Sequence, residues 1–264
     1  MRRLFVLFAA GATFFALVAT AVALTNNDVR FTGTLNHSGK PSKSRPAPAS
    51  FHTVTDFFTS NGTQPNVAST TTIYFPKQLI TGAKYFPSCS KSKIDGKPFP
   101  SSCKKAIVGK GSAQAAGGTP GQPINPALRE NLTVTAVNGP KGKSLLLVLN
   151  GTSPVNIVNR VVVGKMSKAS GKFGFKLTFT VPFDLQYNGL QTPQTHFDVT
   201  IKKRTLKKGG KKRAYIGLAA CPKSHSLPTK TVVNYAQDNI VNTPPPPHPA
   251  PGGQVVTRTG TVKC

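Results

Sequence analysis

The most regular stretch of the chain runs from Phe173 to Val181, where Phe173, Phe175, Leu177, Phe179 and Val181 alternate with Gly174, Lys176, Thr178 and Thr180. A period of two puts the apolar set on one face of a strand and the polar set on the other. The pattern recurs in Phe51, Thr53, Thr55 and Phe57, in Leu132, Val134 and Ala136, and in Phe197, Val199 and Ile201. Val67 to Phe75 has the Thr, Ile, Tyr and Phe content of a strand, closed by Pro76. Leu145 to Leu149 is apolar at every position, as in a strand covered on both faces, and Asn150-Gly151 marks a turn after it. Val155, Ile157 and Val158 form an irregular patch, apart from the run Val161-Val162-Val163. Ala214 to Leu218, Thr231 to Tyr235 and Val255 to Val262 complete the set. Past residue 24 no segment keeps a helical period. The pattern predicts an all-β fold, an antiparallel β-sandwich of Ig-like or jelly-roll-like kind spanning residues 50–264. It is expected as one large sandwich, with a division into two small ones near 117–125 as the alternative.

The N-terminus departs from this pattern. Met1-Arg2-Arg3 precedes an uncharged run from Leu4 to Leu24 that ends in Ala21-Val22-Ala23, so residues 1–23 read as a signal peptide cut after Ala23. The run is also long enough to span a bilayer, and an uncut N-terminal anchor is the rival expectation. Residues 24–49 read as a flexible basic linker containing one short strand, Val29 to Leu35.

All four cysteines, Cys89, Cys103, Cys221 and Cys264, lie beyond the signal, and an even number in an exported chain reads as two disulfides. Of three pairings, proximity favours Cys89–Cys103 and Cys221–Cys264, worth roughly 3 and roughly 4 kcal/mol in the chain-entropy model. Zinc would require closely spaced pairs, which the spacing does not provide.

At this point the residues resemble a known group. Phe75-Pro76-Lys77, Phe86-Pro87-x-Cys89, Cys103 followed by Val108-Gly109-x-Gly111-x-Ala113, Cys221-Pro222 and the closing Val262-Lys263-Cys264 are similar to a family of exported, disulfide-containing β proteins of high-GC Gram-positive bacteria. The resemblance covers roughly Ser50 to Cys264. It implies export, a β fold and two disulfides, and it assigns no activity to any residue.

Charge changes the picture most. The 264 residues hold 34 Lys and Arg against 7 Asp and Glu, a formal net charge of +27, and the single glutamate is Glu130. Such a chain repels itself when compact and attracts polyanions. The densest cluster, Lys202, Lys203, Arg204, Lys207, Lys208, Lys211, Lys212 and Arg213, brackets Gly209-Gly210 between two strand-like runs and predicts a basic β-hairpin. The cluster reads either as a polyanion-binding finger or as a solvated hairpin whose lysines keep a sheet edge from pairing. Nucleic acid is disfavoured as the partner, because no aromatic residue is interleaved with the cations and the chain is exported.

Catalytic and cofactor motifs fail one by one. Gly142-Lys143-Ser144 lacks the glycine five residues earlier, where Val137 stands, and is followed by a strand instead of a helix. Gly109-Lys110-Gly111 lacks the third dinucleotide-binding glycine and reads as strand glycines at a bulge or a close contact. Ser90…Lys93 lacks its penicillin-binding companions. The five histidines show no metal spacing. Asp184 and Asp198 could meet across neighbouring strands for acid–base work, but turn or strand-end roles explain them equally well, and His196 gains interest only beside a buried Ser or Asp in a cleft. Pro244 to Pro249 reads as a stiff loop before the last strand. No cofactor or metal is expected. The reading is a secreted or extracytoplasmic envelope protein, non-catalytic, binding an anionic cell-wall polymer or membrane surface. A structural or protein-interaction module and a secreted hydrolase are the alternatives.

Overall fold

A computed structural model describes residues 26–181, 192–236 and 253–264. Its strands are β1 (Asn27–His37), β2 (Ala47–Thr59), β3 (Ala68–Pro76), β4 (Leu79–Thr81), β5 (Ile107–Ala116), β6 (Arg129–Asn138), β7 (Ser144–Gly151) and β8 (Ile157–Lys168). They continue as β9 (Phe173–Thr180), β10 (Gln194–Ile201), β11 (Thr205–Lys208), β12 (Lys211–Ala214), β13 (Ile216–Leu218), β14 (Ser226–Tyr235) and β15 (Val255–Lys263). The fold is all-β, but the strands do not face one another as two sheets. They follow the order β1-β15-β14-β3-β9-β8-β7-β6-β5-β10-β2, and β2 returns to pair with β1 along its whole length. Eleven strands therefore close into a barrel, while β13 and β4 extend from the start of β2. A ring with an odd number of strands cannot alternate direction all the way round. The one parallel step falls between β1 and β15, at Gly33–Val262 and Thr34–Lys263.

The period-two patterns become the barrel's two surfaces. Phe51, Phe75, Phe175, Leu177, Phe179, Phe197 and Val199 point inward; Phe51 meets Phe75 edge-on at 5.5 Å and Phe75 stacks on Phe175 at 4.8 Å. Large and small residues interlock: a Cβ at Gly164 would stand 2.3 Å from the Phe179 ring. The glycines of β5 are close contacts, as expected, for a Cβ on Gly111 would lie 1.9 Å from the Asp198 carbonyl oxygen. Outward positions such as Thr72, Lys176, Thr178 and Lys230 are polar. That is the polarity of a barrel standing in water, the reverse of a lipid-facing one.

One part of the outer wall is apolar, and the stapled excursion covers it. Residues 86–106 leave the barrel, pass through a short helix α1 (Lys91–Ile94), and bury Ile94, Cys89, Cys103 and Ala106 against Val137, Leu146, Val148 and Val161. This is why β7 is apolar on both faces: Leu145, Leu147 and Leu149 join the core inside, while Leu146 and Val148 lie under the excursion.

Several expectations change. The strand expected at Val29 to Leu35 within residues 24–49 is longer, and the linker shorter, than the residues suggest: β1 pairs over its whole length with Ala49–Thr59 of β2, and only 38–46 stay irregular. Its alternation (Val29, Phe31, Gly33, Leu35 inward) is diluted by a glycine, and the extension of the strand to Asn27 and His37 follows from the long-range pairing. Residues 117–125 join neighbouring strands of one sheet, since β5 pairs with β6 from Ile107–Val137 to Ala116–Arg129. Ile157 and Val158 of the irregular patch join the run at 161–163 in the single strand β8, while Val155 stays in the connection before it. Ala214 to Leu218 divides at Tyr215 into β12 and β13. The signal segment, Asp184 and Pro244 to Pro249 lie outside the described residues.

Candidate functional site

The predicted basic hairpin is formed by β11 and β12, which among the described residues pair only with each other. Gly209 and Gly210, at φ 58° and 70°, supply the two-residue turn that left-handed residues allow. Lys207 lies opposite Lys212 and Lys208 opposite Lys211, all four exposed. Like charges directly opposed on a ladder destabilise it, and an anion bound between them removes that cost.

The eight predicted cations separate into two groups. Lys202, Lys203, Lys207, Lys208, Lys211 and Lys212 are exposed. Arg204 and Arg213 anchor the stem instead. The Arg204 guanidinium donates to the carbonyls of Lys105 and Ile107 and lies 5.9 Å from the Phe86 ring, and Arg213 sits 4.7 Å from the Tyr85 ring. Tyr215, at the hairpin's exit, packs edge-on to Phe86 at 5.3 Å.

The hairpin stands at the end of the barrel where β1, β3, β6, β8 and β10 finish, and every connection at that end is basic. Lys40, Lys43 and Arg45 follow β1, Lys77 follows β3, Lys141 and Lys143 follow β6, and Lys172 follows β8. At the opposite end the described connections 60–67, 117–128 and 152–156 contain no Lys or Arg. The chain from β9 to β10 and from β14 to β15, largely outside the described residues, contains none in its sequence either. The charge is thus segregated along the barrel axis, a property invisible until strand directions are known.

Asn138, which the sequence did not single out, ties this end together. Fully buried, it donates from Nδ2 to the carbonyls of Ala83 and Pro87 at 3.0 Å, while its Oδ1 accepts from the Tyr215 hydroxyl at 3.3 Å. Burial pushes the Tyr215 phenol well above its ordinary value, against the opposing charge of Arg204. Both disulfides take the pairing that proximity favours: Cys89–Cys103 staples the wall excursion and Cys221–Cys264 ties the end of β15 to the segment before β14, with Cα separations of 5.4 and 5.9 Å.

The remaining candidates occupy the outer wall. His196 Nδ1 lies 2.7 Å from Asp56 Oδ1, and His52 Nε2 lies 2.9 Å from Asp198 Oδ1, all on the outward side of β2 and β10. Asp56 is also bound by Arg30 at 3.0 Å. These are partly exposed His–Asp hydrogen-bonded pairs on the outer wall, not residues gathered in a cleft. Among the described residues no three His, Cys, Asp or Glu side chains are placed to hold a metal ion. No protein-family model matches the chain, and no curated protein or solved structure matches it either.

Proposed function

We propose that this chain is an exported, non-catalytic β protein of the cell envelope that binds an anionic polymer through the basic end of its barrel. The observation that carries the reading is the pair of facing lysines, Lys207–Lys212 and Lys208–Lys211, on a projecting hairpin at the one end where the connections are basic. Successive strand positions point to opposite faces, so the lysines line both sides of the finger. A flexible polymer can reach both sides, whereas a flat membrane meets only one, and this favours a phosphate-bearing wall polymer over a lipid surface. Two disulfides suit an oxidising compartment, in keeping with export.

The test is retention of the oxidised protein on immobilised linear polyphosphate and on phosphatidylglycerol vesicles across a salt series. Polyphosphate affinity should exceed vesicle affinity and fall steeply with salt. Replacing Lys207, Lys208, Lys211 and Lys212 by Gln should weaken retention while leaving the circular dichroism spectrum unchanged. Stronger vesicle binding would assign the end to a membrane. Salt-insensitive localisation, or unchanged retention of the variant, would favour a structural or protein-interaction module.

A further inference from the structure

The end of the barrel away from the hairpin holds the chain's single glutamate in an unusual state. Glu130 is 2 % exposed on the inward side of β6. Its Oε2 accepts from the Val155 backbone N–H at 3.0 Å, and its Oε1 is buried without a partner. The carboxylate lines a cavity of about 310 Å³. Gly151 keeps room for it, since a Cβ there would lie 2.2 Å from Oε1. The rest of the wall is mainly apolar, with Leu128, Leu132, Leu149 and Ile157, plus the unpartnered buried hydroxyl of Thr192. Arg160 also lines the cavity, its guanidinium held 3.3 Å from Asp95. Val181 and Gln194 are shared with the phenylalanine-lined cavity of about 110 Å³ in the barrel interior.

A buried carboxylate oxygen without a donor is costly, and a native structure that keeps one in a cavity invites a ligand that supplies the donor. We infer that this lumen binds a small amphipathic amine, its ammonium group on Glu130 Oε1 and its apolar body against Leu128, Leu132, Leu149 and Ile157. An ammonium supplies both the missing hydrogen bond and the countercharge, whereas an alcohol supplies only the bond and a carboxylate meets repulsion. A chain of net charge +27 would ordinarily repel such a ligand, but the described connections at this end contain no Lys or Arg, and the guanidinium of Arg160 in the cavity lining is paired with Asp95. The volume lies at the lower bound of known ligand pockets and suits a single alkyl chain.

The test is calorimetric titration of the oxidised full chain with octylamine, octan-1-ol and octanoate at pH 7. Octylamine should bind, the alcohol at least 10-fold more weakly, and octanoate not at all. Glu130→Gln should weaken octylamine binding about 10- to 100-fold, the span of one charge-assisted hydrogen bond. Leu128→Trp, which fills the cavity with the carboxylate intact, should weaken the amine and the alcohol alike and decides the matter if Glu130→Gln does not fold. Both variants should keep wild-type polyphosphate retention, so failure here is distinguishable from failure of the polymer-binding reading. Absence of octylamine binding, equal binding of octanoate, or unchanged binding in either variant would overturn the inference.

Discussion

The two ends of this barrel are built to different rules. The hairpin end concentrates positive charge, and it is also where the cross-links lie: Cys221–Cys264, the carbonyl-gathering Asn138, and two arginines on aromatic rings. The opposite end has few cations, and its polar groups are less completely satisfied. Gln64 Oε1, Thr71 Oγ1, Glu130 Oε1 and Thr192 Oγ1 are buried there without partners. At that end β1 is held to β15 by side chains: Asn27 N donates to Gln254 at 2.9 Å and Arg258 to Asp28 at 2.7 Å. Crowded cations repel one another and raise the free energy of the compact state. Covalent and buried polar ties stand where that repulsion is greatest, while the cavity of about 310 Å³ and its unpartnered Glu130 oxygen lie at the end that does not face it.

Removing the ties should therefore cost most at the hairpin end. Cys221→Ala with Cys264→Ala releases a closure of 43 residues and should lower unfolding free energy by about 4 kcal/mol in urea titrations. The loss should shrink at high salt if repulsion between cations is what the bond restrains. Asn138→Ala leaves the carbonyls of Ala83 and Pro87 buried without donors and should cost about 3 kcal/mol by the same measurement.

At the less satisfied positions the sign should reverse. Thr231→Val removes a buried hydroxyl that has no partner and keeps the shape, so it should raise stability by about 1 kcal/mol. Smallest is the strap between β1 and β15. Burial raises the Asp28 pKa, but the Arg258 hydrogen bond, the Val29 N–H and the Arg258 charge together hold it below the ordinary carboxylate value. A depressed folded-state pKa contributes stability that is complete above the unfolded value and is lost as pH falls through the folded one. Asp28→Asn should lower stability by a few tenths of a kcal/mol near pH 7, and the difference from wild type should vanish as pH falls through the folded-state pKa, which flattens the acid limb of the curve.

Much of this architecture is legible in the residues, and what is not has a physical cause. Period-two alternation locates β9 and β10 because one face of each meets a continuous apolar lumen. The paired glycines at 209 and 210 announce the hairpin turn because few other residues accept those angles. Barrel closure is illegible because it depends on pairing the chain's first described strand with its last, and no local pattern encodes that contact. β4 and β13, three residues each, are too short to show a period. Leu145–Leu149 does signal double coverage, but the covering layer proves to be the stapled excursion and not a second sheet. Glu130 stands out in the sequence as the lone glutamate, and its inward position follows from sharing the parity of Leu132 and Val134 along β6.

The most direct test separates where the charge lies from how much of it there is. One variant replaces Lys207, Lys208, Lys211 and Lys212 by Gln, and a second replaces Lys110, Lys165 and Lys176 on the barrel wall and Lys93 on the excursion that covers it, so both lose four charges. Polyphosphate affinity is then measured against salt for each. Taking a single-stranded polyanion as guide, at about 0.7 per contact, the slope of log affinity on log salt should fall by roughly 3 for the hairpin variant and hardly at all for the wall variant. Equal losses in the two would show that net charge alone governs binding, and the segregated end would have no role in it.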